Sequence, residues 1–215
     1  AWEKLTGVKI TEGYGMTEGA PLTGNPLDRP PRIGSVGVVP PRTEVKVVDV
    51  ETGDIGLAVG EIGELCFRGP QVVEGYWKRP DESAATFRGG WLHTGDIGAV
   101  DEEGFISIVD RKKDMAIVGG YNVYPREIDE VLYQHDAVQE AAVVGVPDDY
   151  WGEILHAFVV ALPDSDLNAD DVLGYCAERL AKFKVPAKAT VADTLPKTAT
   201  NKIDKRALRE RALTK

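Results

Sequence analysis

Residues Asp101–Met115 read DEEGFISIVDRKKDM, and the character of the chain changes within this stretch. Asp101-Glu102-Glu103-Gly104 lies between two apolar runs and reads as a hairpin turn. Phe105–Val109 reads as a strand, and Asp110–Lys113 is a run of four charged residues that reads as a boundary. Before it, short β-rich runs such as Glu44–Val50 and Glu61–Arg68 alternate with turn signals, and Asp81–Phe87 reads as a short helix. A small barrel or twisted sheet is expected there. Val8-Lys9-Ile10 reads as a short strand, and the Gly- and Thr-rich Thr11–Gly24 as a loop.

After the boundary the pattern mixes helix and strand. Met115–Val118 reads as a strand followed by a Gly-Gly turn. Pro125 then opens a helix whose Ile128, Val131 and Leu132 form one apolar stripe. Ala137–Val146, Ile154–Leu162 and Lys188–Ala192 read as strands, and Asp170–Ala181 and Asp204–Ala212 as helices. The expected fold class is α+β: a β-rich, barrel-like unit followed by a small α+β domain.

The 215 residues are 43% hydrophobic and 28% charged, enough for one large domain or two small ones with a buried core. A net charge of −10 argues against general nucleic-acid binding. The charge is uneven. Residues 182–215 hold ten Lys or Arg against three Asp or Glu, a local +7 on a remainder of −17. Such a segment suits a local anionic ligand such as a phosphate, although on charge alone a solvated basic helix is the favoured account. Cys66 and Cys176 lie in apolar contexts outside any CxxC pair, which points away from a disulfide framework or zinc site and toward a reducing cytoplasm. No signal peptide or membrane-spanning run is seen, so a cytoplasmic location is expected.

Four constellations carry candidate chemistry. In Glu12-Gly13-Tyr14-Gly15-Met16-Thr17-Glu18, two glycines let the backbone pass close to a flat ligand on which Tyr14 can stack. Thr17 can donate to a phosphate, and Glu18 can hold Mg²⁺ beside substrate phosphates. In Gly90–Asp96 (GWLHTGD), Asp96 after a Thr-Gly turn can accept two ribose hydroxyls, while His93 reads as a packing residue. Arg111, followed by Gly119-Gly120 after the boundary, offers a planar fork for ribose or phosphate and a backbone open to a thin ligand. In Leu195–Lys205 (LPKTATNKIDK), Lys202 sits on a polar loop where a mobile charge suits a developing anion. Taken singly, an ordinary turn, an Asx turn, a charged linker and an exposed lysine account for these features.

Their order is more specific than any member. The stretches Glu12–Pro21 (EGYGMTEGAP), Gly63–Pro80 (GELCFRGPQVVEGYWKRP), Gly90–Gly98 (GWLHTGDIG), Asp101–Met115, Asn122–Pro125 (NVYP) and Lys182–Pro186 (KFKVP) together resemble the adenylate-forming (AMP-binding) superfamily. The resemblance is strongest to bacterial long-chain fatty-acid–CoA ligases. It implies an ATP-dependent enzyme that activates a fatty acid as acyl-AMP and transfers it to CoA, with ATP, Mg²⁺ and CoA as cofactors or co-substrates.

The resemblance also implies roles. Gly13, Tyr14, Gly15, Met16 and Thr17 would bind ATP or AMP, with Tyr14 on adenine and Thr17 on the phosphate. Glu18 would hold Mg²⁺, and Asp96 assisted by Arg111 would hold the ribose. Lys113 would be the hinge of a rotating lid, Gly119 and Gly120 would line the path of CoA, and Lys202 would bridge the carboxylate and α-phosphate. Residues 1–109 would then be the end of a large adenylation domain including its β-barrel subdomain, 110–113 a hinge, and 114–215 the lid.

Departures from the family pattern are Asn201, where Gly usually precedes the lysine, and Ile117, where luciferases and plant coumarate ligases often carry a second lysine. A Ser/Thr/Gly-rich phosphate loop, expected upstream of Gly13, does not occur, so a fragment lacking its N-terminal part and inactive alone is expected. Peripheral membrane contact is compatible with fatty-acid uptake, though no amphipathic anchor is seen. Two other readings stand beside this one: an adenylating enzyme that loads a carrier protein, and a non-catalytic nucleotide- or CoA-binding module.

Overall fold

The computed structural model describes residues 2–28 and 30–214. They form two compact units that divide between Lys112 and Lys113, within the charged run read as a boundary.

In the first unit, α1 (Trp2–Thr6) precedes β1 (Gly13–Met16) and β2 (Gly19–Gly24). These strands pair as an antiparallel hairpin. The region expected as a loop is therefore extended, and Val8–Ile10, expected as a strand, has no regular structure. Then follow β3 (Glu44–Val48), β4 (Gly63–Arg68), α2 (Pro80–Thr86), β5 (Leu92–Val100) and β6 (Ile106–Arg111). Strands β3 to β6 form one antiparallel sheet in sequence order. Among the described residues this sheet is open, with β3 and β6 at its edges, and does not close into a barrel. Strand β5 covers Thr94 and Gly95, expected as a turn, together with Asp96 after them.

The core of this unit gathers Leu22, Val47, Leu65, Phe67, Leu92 and Ile106, with Tyr14 and Met16 packed on it. Leu65 and Phe67 are fully buried, each stabilising the unit by roughly 1.5–3 kcal/mol. The side chains of Tyr14 and Met16 are partly buried while Gly13 and Gly15 are exposed, the alternation of a strand with one face on the core.

The second unit contains β7 (Ala116–Val118), β8 (Tyr121–Val123), α3 (Pro125–Leu132), β9 (Val138–Asp148), β10 (Gly152–Ala161), α4 (Ala169–Ala177), β11 (Lys188–Val191) and α5 (Lys205–Leu213). Strand β10 pairs along its length with β9, in parallel with β11, and with β7 at Gly152. Both faces of this sheet are covered. Val143, Leu155, Ala157 and Val159 pack with Ile128, Leu132, Val172 and Cys176 from α3 and α4. Ala142, Val144, Val146, Phe158 and Val160 pack with Leu195 and with Leu208 from α5. Adjacent strand residues point to opposite faces, so burial on both sides explains the nearly continuous apolar runs of β9 and β10.

The helix starts follow from side-chain caps. Asn168 and Asp171 form a capping box at α4. Asp204 caps α5 by accepting from the Ala207 N–H at 3.1 Å.

Candidate active site

The β1–β2 hairpin forms the wall of an open depression of about 710 Å³ lined by Gly13–Thr17, Ala20, Pro21 and Thr23. Gly13 lies opposite Gly24 and Tyr14 opposite Thr23. The Thr23 hydroxyl holds the hairpin by accepting from the Tyr14 N–H at 3.0 Å and donating to Val36 O at 2.6 Å. A Cβ at position 13 would lie 3.1 Å from Thr23 O, so glycine allows the two strands to approach closely. The glycines also leave the exposed backbone of β1 without side chains over it.

Tyr14 links this wall to β5. Its ring lies 6.1 Å from that of Phe67, and its hydroxyl donates to Asp96 Oδ2 at 2.5 Å. Burial first, then the Asp96 carboxylate, pushes the Tyr14 phenol well above its ordinary range. Asp96 is the register partner of Arg111 on β6, whose Nε lies 3.8 Å from Asp96 Oδ1. The Asp96 side chain is 19% exposed and that of Arg111 57%. The pair is thus open to solvent on the arginine side.

Asp96 is aimed by a break in the sheet. The β4–β5 register passes from Glu64↔Ile97 to Cys66↔His93, so Leu65 faces Thr94-Gly95-Asp96. Such a bulge leaves strand N–H groups without ladder partners and re-aims side chains. The Thr94 hydroxyl donates to Leu65 O at 2.8 Å and accepts from the Asp96 N–H at 3.1 Å. Gly95, at φ 70°, takes the backbone turn this requires. His93 is buried, and its Nδ1 accepts from Arg88 Nη2 at 2.9 Å. Burial and then Arg88 depress its pKa, so the ring is neutral and packed, as the sequence reading has it.

Thr17 and Glu18 lie at the hairpin turn, Thr17 exposed and Glu18 half-buried. Glu18 O accepts from the Val73 N–H at 2.9 Å, and its Oε1 accepts from the Tyr76 hydroxyl at 2.5 Å. Tyr76 is anchored in turn: its N–H donates to Ser83 Oγ at 2.8 Å and its ring packs 5.6 Å from Phe87. Oε2 of Glu18 has no hydrogen bond among the described residues. One oriented carboxylate with a free oxygen fits Mg²⁺, which takes one or two carboxylates and completes its octahedron with water and phosphate oxygens.

The other candidates belong to the second unit. Lys113 is exposed. Gly119 and Gly120 form the exposed β7–β8 turn, at φ 57° and 84°. The Gly119 N–H donates to Trp151 O at 2.9 Å, and a Cβ on Gly119 would meet the Trp151 ring at 2.8 Å. Lys202 is exposed on a tight hairpin closed by the Lys197–Ile203 bridge. Thr198 N–H donates to Lys202 O at 2.7 Å, and Asn201 N–H to Thr198 O at 2.9 Å. Asn201 stands at φ 61°, a left-handed conformation that asparagine tolerates better than most residues.

Within the first unit, then, Tyr14, Asp96 and Arg111 come together beside the glycine wall, and Glu18 is held through Tyr76. Tyr76, Glu64 and Trp151 were not singled out from the sequence. The signal for each was slight: a tyrosine in GYW, an acidic residue inside the apolar run GELCF, and a tryptophan ending DDYW.

The family described as AMP-binding enzyme matches residues 1–77, and AMP-binding enzyme C-terminal domain matches residues 127–202. The chain belongs to the AMP-binding enzyme family. It is 49% identical over 212 residues to the long-chain-fatty-acid–CoA ligase of Escherichia coli O157:H7, covering 98% of this chain and 37% of that protein. To the ligase of the same name from Bacillus subtilis strain 168 it is 47% identical over 210 residues, covering 97% and 37%. The crystal structure of ATP-bound MatB from Rhodopseudomonas palustris superposes with a TM-score of 0.90 at 40% identity, covering 98% of this chain and 42% of that one. The chain therefore spans little more than a third of the length of these ligases. In this AMP-binding family member, β5 and β6 with the Asp96–Arg111 pair lie between the two matched segments.

Proposed function

We propose that the full-length protein containing this chain is an acyl-CoA synthetase that activates a long-chain fatty acid with ATP and passes the acyl group to CoA. The reading rests on the gathering of Tyr14, Asp96 and Arg111 at the edge of the glycine-walled depression, in a chain 47–49% identical to fatty-acid–CoA ligases.

The roles follow from the chemistry of each group. The Tyr14 ring and the bare backbone of Gly13 and Gly15 take the flat adenine. Asp96 accepts from the ribose hydroxyls and Arg111 donates beside it. Thr17 donates to the α-phosphate. Glu18 fits Mg²⁺, which would neutralise phosphate charge when bound.

In the first half-reaction a carboxylate oxygen of the acid attacks the α-phosphorus, the bond to the β-phosphate breaks, and pyrophosphate leaves. Lys202 offsets the charge that develops on the phosphate. In the second, the CoA sulfur attacks the acyl carbon, the bond to AMP breaks, and AMP leaves. Gly119 and Gly120 admit the pantetheine arm, and Lys113 is the hinge between the two halves of the cycle, residues 114–215 acting as the lid.

The deciding experiment is an assay of the full-length protein for pyrophosphate release with ATP and fatty acids of graded length, followed by thiol consumption with CoA. Acid-dependent pyrophosphate release and CoA-dependent AMP release are expected. No acid-dependent release refutes adenylation. Release with a holo carrier protein but not CoA as acceptor refutes the CoA assignment.

A further inference from the structure

We infer that Glu64 is a positioning residue for the Asp96–Arg111 pair, holding from within the sheet the two segments that carry the ribose ligands. The inference rests on the assignment of Asp96 to the ribose in the proposed function.

Glu64 lies on β4 in a run of otherwise apolar buried side chains, and its own side chain is only 4% exposed. A buried carboxylate persists only when its oxygens are satisfied. Here each oxygen takes a different segment. Oε1 accepts from the Gly95 N–H at 3.1 Å, and Oε2 accepts from Lys112 Nζ at 3.0 Å. Gly95 immediately precedes Asp96, and Lys112 immediately follows Arg111. One carboxylate thus ties the neighbours of both members of the pair.

The bulge explains why a side chain is needed. Leu65 faces three residues of β5, so the Gly95 N–H has no ladder acceptor opposite it. Glu64 supplies one. Together with the Thr94 hydroxyl bonds, it sets the backbone from which Asp96 projects. Lys112 is held in the same way at the end of β6. It shields the carboxylate against its desolvation, and the carboxyl stays ionised, its pKa lowered by Lys112 and the Gly95 N–H against the opposing effect of burial. His93 Nδ1, 3.6 Å from Oε2, already accepts from Arg88 and does not share this role.

Glutamine has the same volume but only one acceptor oxygen, so Glu64→Gln removes one of the two ties. The test is calorimetric binding of AMP and dideoxy-AMP, which lacks both ribose hydroxyls, to the full-length protein. AMP should bind more tightly than dideoxy-AMP, and Asp96→Asn should abolish that preference. If Asp96→Asn leaves the preference intact, the ribose assignment fails and this inference with it.

Where Asp96→Asn does abolish it, Glu64→Gln should weaken AMP about ten-fold and leave dideoxy-AMP unchanged. The double variant should lose nothing beyond Asp96→Asn. Lys112→Met should shift AMP binding in the same direction, and Lys112→Arg should preserve it. Equal weakening of both nucleotides by Glu64→Gln, or a lower melting temperature with the AMP preference intact, overturns the positioning role alone. If Glu64→Gln does not fold, Lys112→Met and Lys112→Arg decide, since the Lys112 side chain is 36% exposed against 4% for Glu64: loss of the AMP preference in Met with retention in Arg supports the role, and retention in both overturns it.

Discussion

The Tyr14 hydroxyl donates to Asp96 Oδ2 at 2.5 Å, joining two residues 82 positions apart. The contact makes the aromatic wall of the depression and the carboxylate proposed to hold the ribose a single unit. Tyr14→Phe keeps the ring and removes the hydroxyl. AMP binding to the full-length protein should weaken about ten-fold, the scale of one hydrogen bond to a charged group, and calorimetry measures it. The buried phenol, with Asp96 beside it, has a pH signature. The folded phenol titrates above its ordinary value of 10, so above that pH the native state retains a proton that the unfolded chain releases. Stability is fully present below pH 10 and falls as pH rises toward the folded value. Chemical denaturation across alkaline pH should show a shallower decline in Tyr14→Phe.

Tyr76 holds Glu18 as Tyr14 holds Asp96, through a bond of 2.5 Å. Tyr76→Phe frees the carboxylate to rotate. The Mg²⁺ concentration giving half-maximal pyrophosphate release should rise about three- to ten-fold, while the fatty-acid KM stays the same. A Mg²⁺ titration of the full-length protein checks this, and an unchanged midpoint would remove the role given to Tyr76.

Gly119 is constrained twice, by its φ of 57° and by the Trp151 ring 2.8 Å from any added Cβ. Gly119→Ala should strain the β7–β8 turn by about 1–2 kcal/mol and slow thioester formation from supplied acyl-AMP, with pyrophosphate release spared. A bulky residue at Gly120, where the space is open, should act through the turn and the proposed CoA path without the clash. Trp151→Ala combined with Gly119→Ala should relieve part of the loss in a double-mutant cycle.

Lys202→Ala should cut acyl-AMP formation by about 10²-fold or more and largely spare the second half-reaction. Asn201 tests the hairpin that carries the lysine. Asn201→Gly should keep full adenylation, because glycine takes φ 61° freely. Asn201→Val should lower it, since a β-branched residue is strained there by about 1–2 kcal/mol. Single-turnover assays of each half-reaction separate these outcomes.

Much of the architecture was legible because it is local. The two-sided burial of β9 and β10 leaves unbroken apolar runs, and the caps Asn168 and Asp204 stand directly before α4 and α5. Errors fell where tertiary pairing overrides local signals. Glycine and threonine made Thr11–Gly24 read as a loop, yet Thr23 binds Tyr14 N–H and Val36 O and holds it as a hairpin. Thr94-Gly95 read as a turn because glycine has turn chemistry, whereas Gly95 serves a bulge inside β5.

The sequence alone determined the family, the α+β class and the identity of the residues proposed to meet ATP, because ordered motifs such as EGYGMTEG and GWLHTGD are contiguous in the chain. Only the tertiary structure decided how those residues are held. Tyr14 meets Asp96, Tyr76 meets Glu18, and Glu64 meets both Gly95 and Lys112. The contacts of Asp96 and Glu64 depend on strand register and on the residues where β4 and β5 fall out of step, and that of Tyr76 on how its loop packs against the β1–β2 turn. A register shift of one residue would turn the strand side chains Tyr14, Glu64 and Asp96 to the opposite face, and nothing in the local sequence of either partner encodes the other's position.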